Sequence, residues 1–261
     1  MTPPQSIGGD SRRVYPFFAL ACAITWALDL PFVLAVLRGD APAPSALAMA
    51  GLGAWGPTIA AVAVAARGRR REIFGPWRTS PRWIVLALFT PLLLHLPATA
   101  LDVALGGSPS QWLYLPSAPE HVAALVMFSL GEEFGWRGYA YPRVAARHGK
   151  VAGALMLGVV WAFWHFFMMF SPVDGSFDAL LATTTLIELP LYSILFAWFF
   201  VRSGASIAVA IALHAGGHLD NVGRTPDGEL RIRVLRIVVL AIAAALAARS
   251  LERARSEPVR P

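Results

Sequence analysis

Charge is what this chain has least of. Only 15% of its 261 residues are Asp, Glu, Lys or Arg, against about 25% in an ordinary soluble domain, while 56% are hydrophobic and the mean hydropathy is positive. That balance excludes a soluble globular chain and predicts an integral membrane protein. Polar sequence is confined to short connectors, so a hidden soluble domain is excluded and a single membrane unit is expected. Cysteine is nearly absent. Cys22 is the only one and lies inside the first apolar run, which excludes a disulfide framework and a cysteine metal cluster. No repeat at a period of about 20 to 50 residues is visible, and no low-complexity segment beyond the Ala/Pro-rich loop at 40–45. The formal net charge of +6 comes from arginines between apolar runs, the pattern of cytoplasmic loops rather than of a nucleic-acid surface.

With about 20 apolar residues needed per crossing, candidate spans fall at 15–37, 45–66, 82–105, 120–140, 150–170, 178–201, 204–222 and 233–249. The expected fold is therefore all-α, a polytopic transmembrane helical bundle of about eight helices. Arg12 and Arg13 before an apolar stretch imitate a signal peptide, but the run at 14–37 is long enough to span and too long for an h-region. The expected organisation is a cytoplasmic segment at 1–13, a membrane domain at 14–249 and a disordered cytoplasmic tail at 250–261. Connectors 67–82 and 143–150 are rich in Arg, while the loops at 106–119 and 171–176 hold no Lys or Arg. The positive-inside rule then places both termini in the cytoplasm, in a multi-pass protein of the cell (plasma) membrane. Arg224, Arg231 and Arg233 fit this bias less well, although Asp220, Asp227 and Glu229 offset them.

Ionisable side chains inside a bilayer are costly and face a bundle interior or a wet cavity, where they pair with one another. Three loci stand out. In "LVMFSLGEEFGWRGYAYP" (125–142), Glu133 and Arg137 stand at i and i+4, within salt-bridge reach on one face. Glu132 points about 100° away from Glu133. Taken alone, both glutamates have a plain structural use, pairing with Arg137 or with headgroups. In "VVWAFWHFFMMF" (159–170), His165 lies among aromatic residues; a lone histidine there is more often a packing residue than a ligand. In "IALHAGGHLDN" (211–221), His214 and His218 share a helix face at i and i+4, with Asn221 nearly one turn further. Paired imidazoles at that spacing suit metal ligation when a carboxylate is near, and serve equally as hydrogen-bond donors.

Depth tests whether the loci can meet. At 1.5 Å per residue, Glu132 lies about 13 Å from the cytoplasmic end of its span, His165 about 22 Å, and His214 and His218 about 15 and 21 Å. All fall in the middle of a layer about 30 Å thick. The remaining intramembrane polar residues get a structural or cavity-lining reading: Asp29, His95 and Asp102 lack an evident partner in the sequence. Glu188, two residues before Pro190, can line a groove at a proline kink. Gly51, Gly53 and Gly56 are read as sites of close helix packing.

With these loci in order, the sequence resembles the CPBP family of intramembrane proteases, which includes the type 2 CAAX prenyl proteases and the bacterial Abi and bacteriocin-processing homologues. Its pattern is EExxxR, then FxxxH, then HxxxN, each on its own helix. Glu132, Glu133 and Arg137 match the first in full, and Trp161 with His165 match the second with one aromatic exchanged for another. The third departs, because His218 stands where the family has asparagine and Asn221 is three residues off the motif. The resemblance covers about 118–222. It implies an active site in the bundle core, open to the cytoplasm, with Glu132 as general base on a water and His165 assisting. His214 and the residue four on would stabilise the oxyanion, and Glu133 paired to Arg137 would hold the helix in register. The same donors, Glu132, His165, His214 and His218, also allow a zinc site that activates the water. The expected function is an endopeptidase acting on a membrane-bound or lipidated peptide or protein substrate. A catalytically silent binding or immunity protein of the same fold is the alternative that His218 favours. A transporter is the third reading, against which the lack of an inverted repeat counts.

Overall fold

The computed structural model describes residues 11–65, 67–107, 118–170, 175–219 and 229–253. Apart from an isolated bridge between Phe170 and Phe177, all regular structure among them is helical. Helix α1 is Val14–Leu37, α2 Pro44–Gly53, α3 Gly56–Val64, α4 Pro81–Ala104 and α5 Pro119–Glu133. Then come α6 Tyr141–His148, α7 Lys150–Trp164, α8 Ala179–Arg202, α9 Ile207–Gly217 and α10 Glu229–Arg253. The starts follow local chemistry. Proline occupies the first turn of α2 to α6, where its missing N–H costs nothing. Asp178 caps α8 by accepting from the Leu181 N–H at 2.8 Å.

The expected spans fall on helical regions of the described residues. Among those residues, four single helices are long and apolar enough to cross a membrane, α1, α4, α8 and α10 from Leu230, and a fifth crossing results if α2 and α3, bent by 50°, count as one. The other three expected spans are less regular. Span 120–140 is α-helical to Glu133, passes through a π-helical turn over Phe134–Ala140 and runs on without a break into α6. Span 150–170 leaves the α-helix after Trp164, and span 204–222 after Gly217. Fifteen and eleven residues extend only about 22 and 16 Å, well short of the hydrocarbon thickness.

The last helix corrects the sequence reading of the arginines. α10 begins at Glu229 rather than 233, so Arg231, Arg233 and Arg236 are helical; Arg233 is buried, whereas Arg231 is exposed. Arg231 Nε donates to Asp102 Oδ1 at 2.6 Å, Arg233 Nη1 to Thr184 Oγ1 at 3.2 Å, and Arg236 Nη2 lies 2.9 Å from His95 Nε2. These partners on α4 and α8 are what a count of loop charges leaves out. His95 and Asp102, without an evident partner in the sequence, find theirs here. α10 also runs to Arg253, into the stretch expected to be a disordered tail; 1–10, 254–261 and Asn221 lie outside the described residues.

Small residues set how closely the helices approach. At Gly56 a methyl group would collide with Thr25 of α1 and at Gly53 with Asp29, as expected for close packing, whereas Gly51 has no neighbour that near. In the π-helical turn a methyl on Gly138 would enter the Ile73 carbonyl, a rigid backbone obstacle. Gly138→Ala is expected to lower the thermal midpoint of the purified protein by several degrees, equivalent to about 1–3 kcal/mol of overpacking. An unchanged melting curve would show that the segment Arg67–Phe74 yields freely.

Candidate active site

The π-helical turn is where the charged locus is built. A π segment inserts an extra residue per turn and often marks a functional position; here it follows Glu133 directly and carries Arg137. Arg137 Nη1 donates to Glu133 Oε1 at 2.7 Å, with the two side chains 1% and 0% exposed. The guanidinium lies 3.7 Å from the ring centroid of Phe196 and 4.5 Å from that of Trp161, so aromatic faces cover the cation where water cannot.

Glu133 serves a second partner. His214 Nδ1 is 2.8 Å from the same Oε1, and a carboxylate acceptor requires that this nitrogen carry the hydrogen. The ring is thereby oriented with Nε2 toward Glu132, whose Oε1 is 3.7 Å away, beyond direct hydrogen-bond range. The other Glu132 oxygen, Oε2, accepts from the Trp161 indole N–H at 2.8 Å. The two adjacent glutamates thus have different surroundings, as their angular separation predicts.

His165 and His218 occupy helix ends rather than helix interiors. His165 is the residue after α7 and His218 the residue after α9, so both correct the expectation of positions deep within continuous spans. His165 Nδ1 is 2.8 Å from the Trp161 carbonyl. The carbonyl can only accept, so Nδ1 donates and Nε2 is the nitrogen left for other contacts. His218 stacks on His214, centroids 5.1 Å apart and planes 26° from parallel. Its Nε2 has no hydrogen-bond partner among the described residues.

These side chains border one cavity of about 200 Å³, lined by Trp161, His165, His214 and His218 together with Leu189, Tyr192, Phe196, Leu213, Gly217 and Arg236. It is large enough for several waters or part of a peptide. Glu132 reaches its wall through Trp161 and His214, while Glu133 and Arg137 lie behind. Of the six residues picked from the sequence, His165, His214 and His218 line this space, and Glu132, Glu133 and Arg137 connect to it through Trp161 and His214. Glu188 is not among its lining; it groups with His95, Tyr192 and Arg236 next to it. Trp161 stands in the sequence as the aromatic of the second motif, but its donation to Glu132 is not legible there, and neither Phe196 nor Arg236 is legible as a contributor. The signal for the Trp161 contact is an indole N–H where the motif has a phenyl ring, and for Arg236 a charge inside an apolar run.

Zinc requires three or four donors converging at about 2.0–2.2 Å. Among the described residues, no three His, Cys, Asp or Glu side chains are placed to do so. His214 spends Nδ1 on Glu133, and its ring lies side by side with that of His218, so the in-plane lone pairs of the two imidazoles do not meet at a point. Glu132, His165, His214 and His218 in this arrangement do not fit the zinc set that the sequence allows.

Residues 115–219, from the approach to α5 to the end of α9, match the family described as type II CAAX prenyl endopeptidase, Rce1-like. The CPBP resemblance holds over this stretch. The CAAX prenyl protease 2 of Methanococcus maripaludis is 28% identical over 144 residues, covering 50% of this chain and 52% of that protein. The chain thus spans about half the length of this curated relative. The Rce1-like stretch contains Glu132, Glu133, Arg137, His165, His214 and His218, while α1 to α4 and α10 lie outside it.

Proposed function

We propose that the protein is an intramembrane endopeptidase in which Glu132 draws a proton from a water held in the 200 Å³ cavity. The observation that carries this reading is that His165 and His214 line that cavity together with Trp161, while Glu132 contacts the Trp161 indole at 2.8 Å and lies 3.7 Å from His214 Nε2. Water attacks the scissile carbonyl as Glu132 takes its proton. His165, with Nε2 presented to the cavity, assists the transfer and delivers the proton to the leaving amine. The developing oxyanion needs donors aimed at it, and His214 with His218 supplies them. His218 donates through an N–H where the family has the asparagine amide, so the departure at this position keeps the chemistry and weighs against a silent binding protein. Glu133 contacts both Arg137 and His214 through Oε1 and fixes the two side chains.

The substrate in this reading is a membrane-bound or lipidated peptide. A prenylated peptide ending in Cys-aliphatic-aliphatic-X is the first probe, because the relative is named for that class. Orientation follows the arginine-rich connectors, with both termini and the starts of α7 and α9 on the cytoplasmic face of the cell membrane. In the test, purified protein in detergent is incubated with a farnesylated and an unprenylated version of one such peptide, before and after dialysis against a strong chelator. Cleavage of at least one peptide is expected, and chelation is expected to leave its rate unchanged. Loss of cleavage that zinc restores would overturn the metal-free mechanism, and cleavage of neither would count against a CAAX-type substrate.

A further inference from the structure

Trp161 touches both groups that the proposed mechanism places on the water. Its indole N–H donates to Glu132 Oε2 at 2.8 Å, and its main-chain carbonyl accepts from His165 Nδ1 at 2.8 Å. Trp161 and Glu132 are each 5% exposed, so bulk water does not compete for the contact. A phenyl ring would fill most of the same space and keep the edge-to-face contacts with His165, His214 and Phe196. It could not hold a carboxylate.

A carboxylate on a flexible side chain must present one chosen oxygen to the water. Here Oε2 is held by the indole, and Oε1 is the oxygen on the side of His214 Nε2, 3.7 Å away. A gap of that length is too long for a direct hydrogen bond and suits a bridging water. We propose that Trp161 is a positioning residue: its indole N–H locks the Glu132 carboxylate so that Oε1 faces the water. This rests on Glu132 being the base, but the lock itself is a property of the resting protein and can be read without substrate.

Two measurements test it. With whichever peptide the wild type cleaves, Trp161→Phe is expected to lower kcat roughly tenfold and leave KM within about twofold, the pattern of a lost interaction that matters in the transition state. If that variant folds poorly, benzothienylalanine at position 161 keeps the bicyclic shape and removes only the N–H, and the same loss is expected. In nitrogen-15 tryptophan-labelled protein, the indole resonance missing from Trp161→Phe should be slow to exchange in the wild type and should shift in Glu132→Ala. An unchanged kcat in both position-161 variants, or an indole resonance indifferent to Glu132→Ala, overturns the lock. Full cleavage by Glu132→Ala would instead remove Glu132 as the base, while the resonance still reports on the contact.

Discussion

Glu132→Ala is expected to reduce peptide cleavage by about 10²–10⁴-fold, the usual contribution of a positioned general base, without unfolding the protein. The two effects separate because of what Glu132 touches. Its partners are the indole of Trp161 and, at 3.7 Å, the Nε2 of His214; neither depends on Glu132 for charge balance, since His214 is paired to Glu133. Removing the carboxylate leaves one indole donor unpaired, about 1–3 kcal/mol, and enlarges a cavity that already exists. The measurement is cleavage of the probe peptide alongside a melting curve in the same detergent. Glu132→Gln should be as inactive as Glu132→Ala, because an amide keeps the shape but cannot take the proton. Cleavage within tenfold of the wild type by either variant would remove Glu132 as the base.

Glu133→Ala is expected to fail in the opposite way, through stability. Arg137 is 1% exposed, and Glu133 Oε1 is the anion that both Arg137 Nη1 and His214 Nδ1 contact. Deleting one partner of a buried pair leaves an uncompensated charge and costs about 3–5 kcal/mol, a large share of a typical folding free energy. The protein should express poorly, or melt many degrees below the wild type, whether or not substrate is present. Glu133→Ala combined with Arg137→Leu should recover part of that loss, because no charge is then left stranded, yet remain inactive if the π-helical turn no longer holds Glu132 in place. A single Glu133→Ala variant as stable as the wild type would show that Arg137 has another anion. The contrast between two adjacent glutamates, one needed for rate and one for folding, is the sharpest consequence of the geometry.

Much of this site could be read from spacing alone. The i, i+4 relation paired Glu133 with Arg137, and the 100° step between neighbours sent Glu132 elsewhere; both hold because helix geometry is local. Helix ends did not follow the sequence, since α7 and α9 end at Trp164 and Gly217 while the sequence runs on apolar to Phe170 and Leu219. Hydropathy measures whether a segment tolerates lipid, not whether its backbone stays helical, so an apolar stretch lining a cavity looks like a crossing. Arg231 and Arg233 misled for a related reason. A charge bias assumes that arginines near a helix end face water, and these face Asp102 and Thr184.

Composition and periodicity determined by themselves that the chain is a helical membrane bundle, and which charged residues share a helix face, because both follow from transfer energies and a fixed helical repeat. Only the tertiary structure decided where α7 and α9 end, that Trp161 donates to Glu132, that one oxygen of Glu133 serves Arg137 and His214 together, and that the imidazoles of His214 and His218 stack. Each of these is a contact between helices far apart in the chain, set by how their faces pack, and no one-dimensional pattern carries that information.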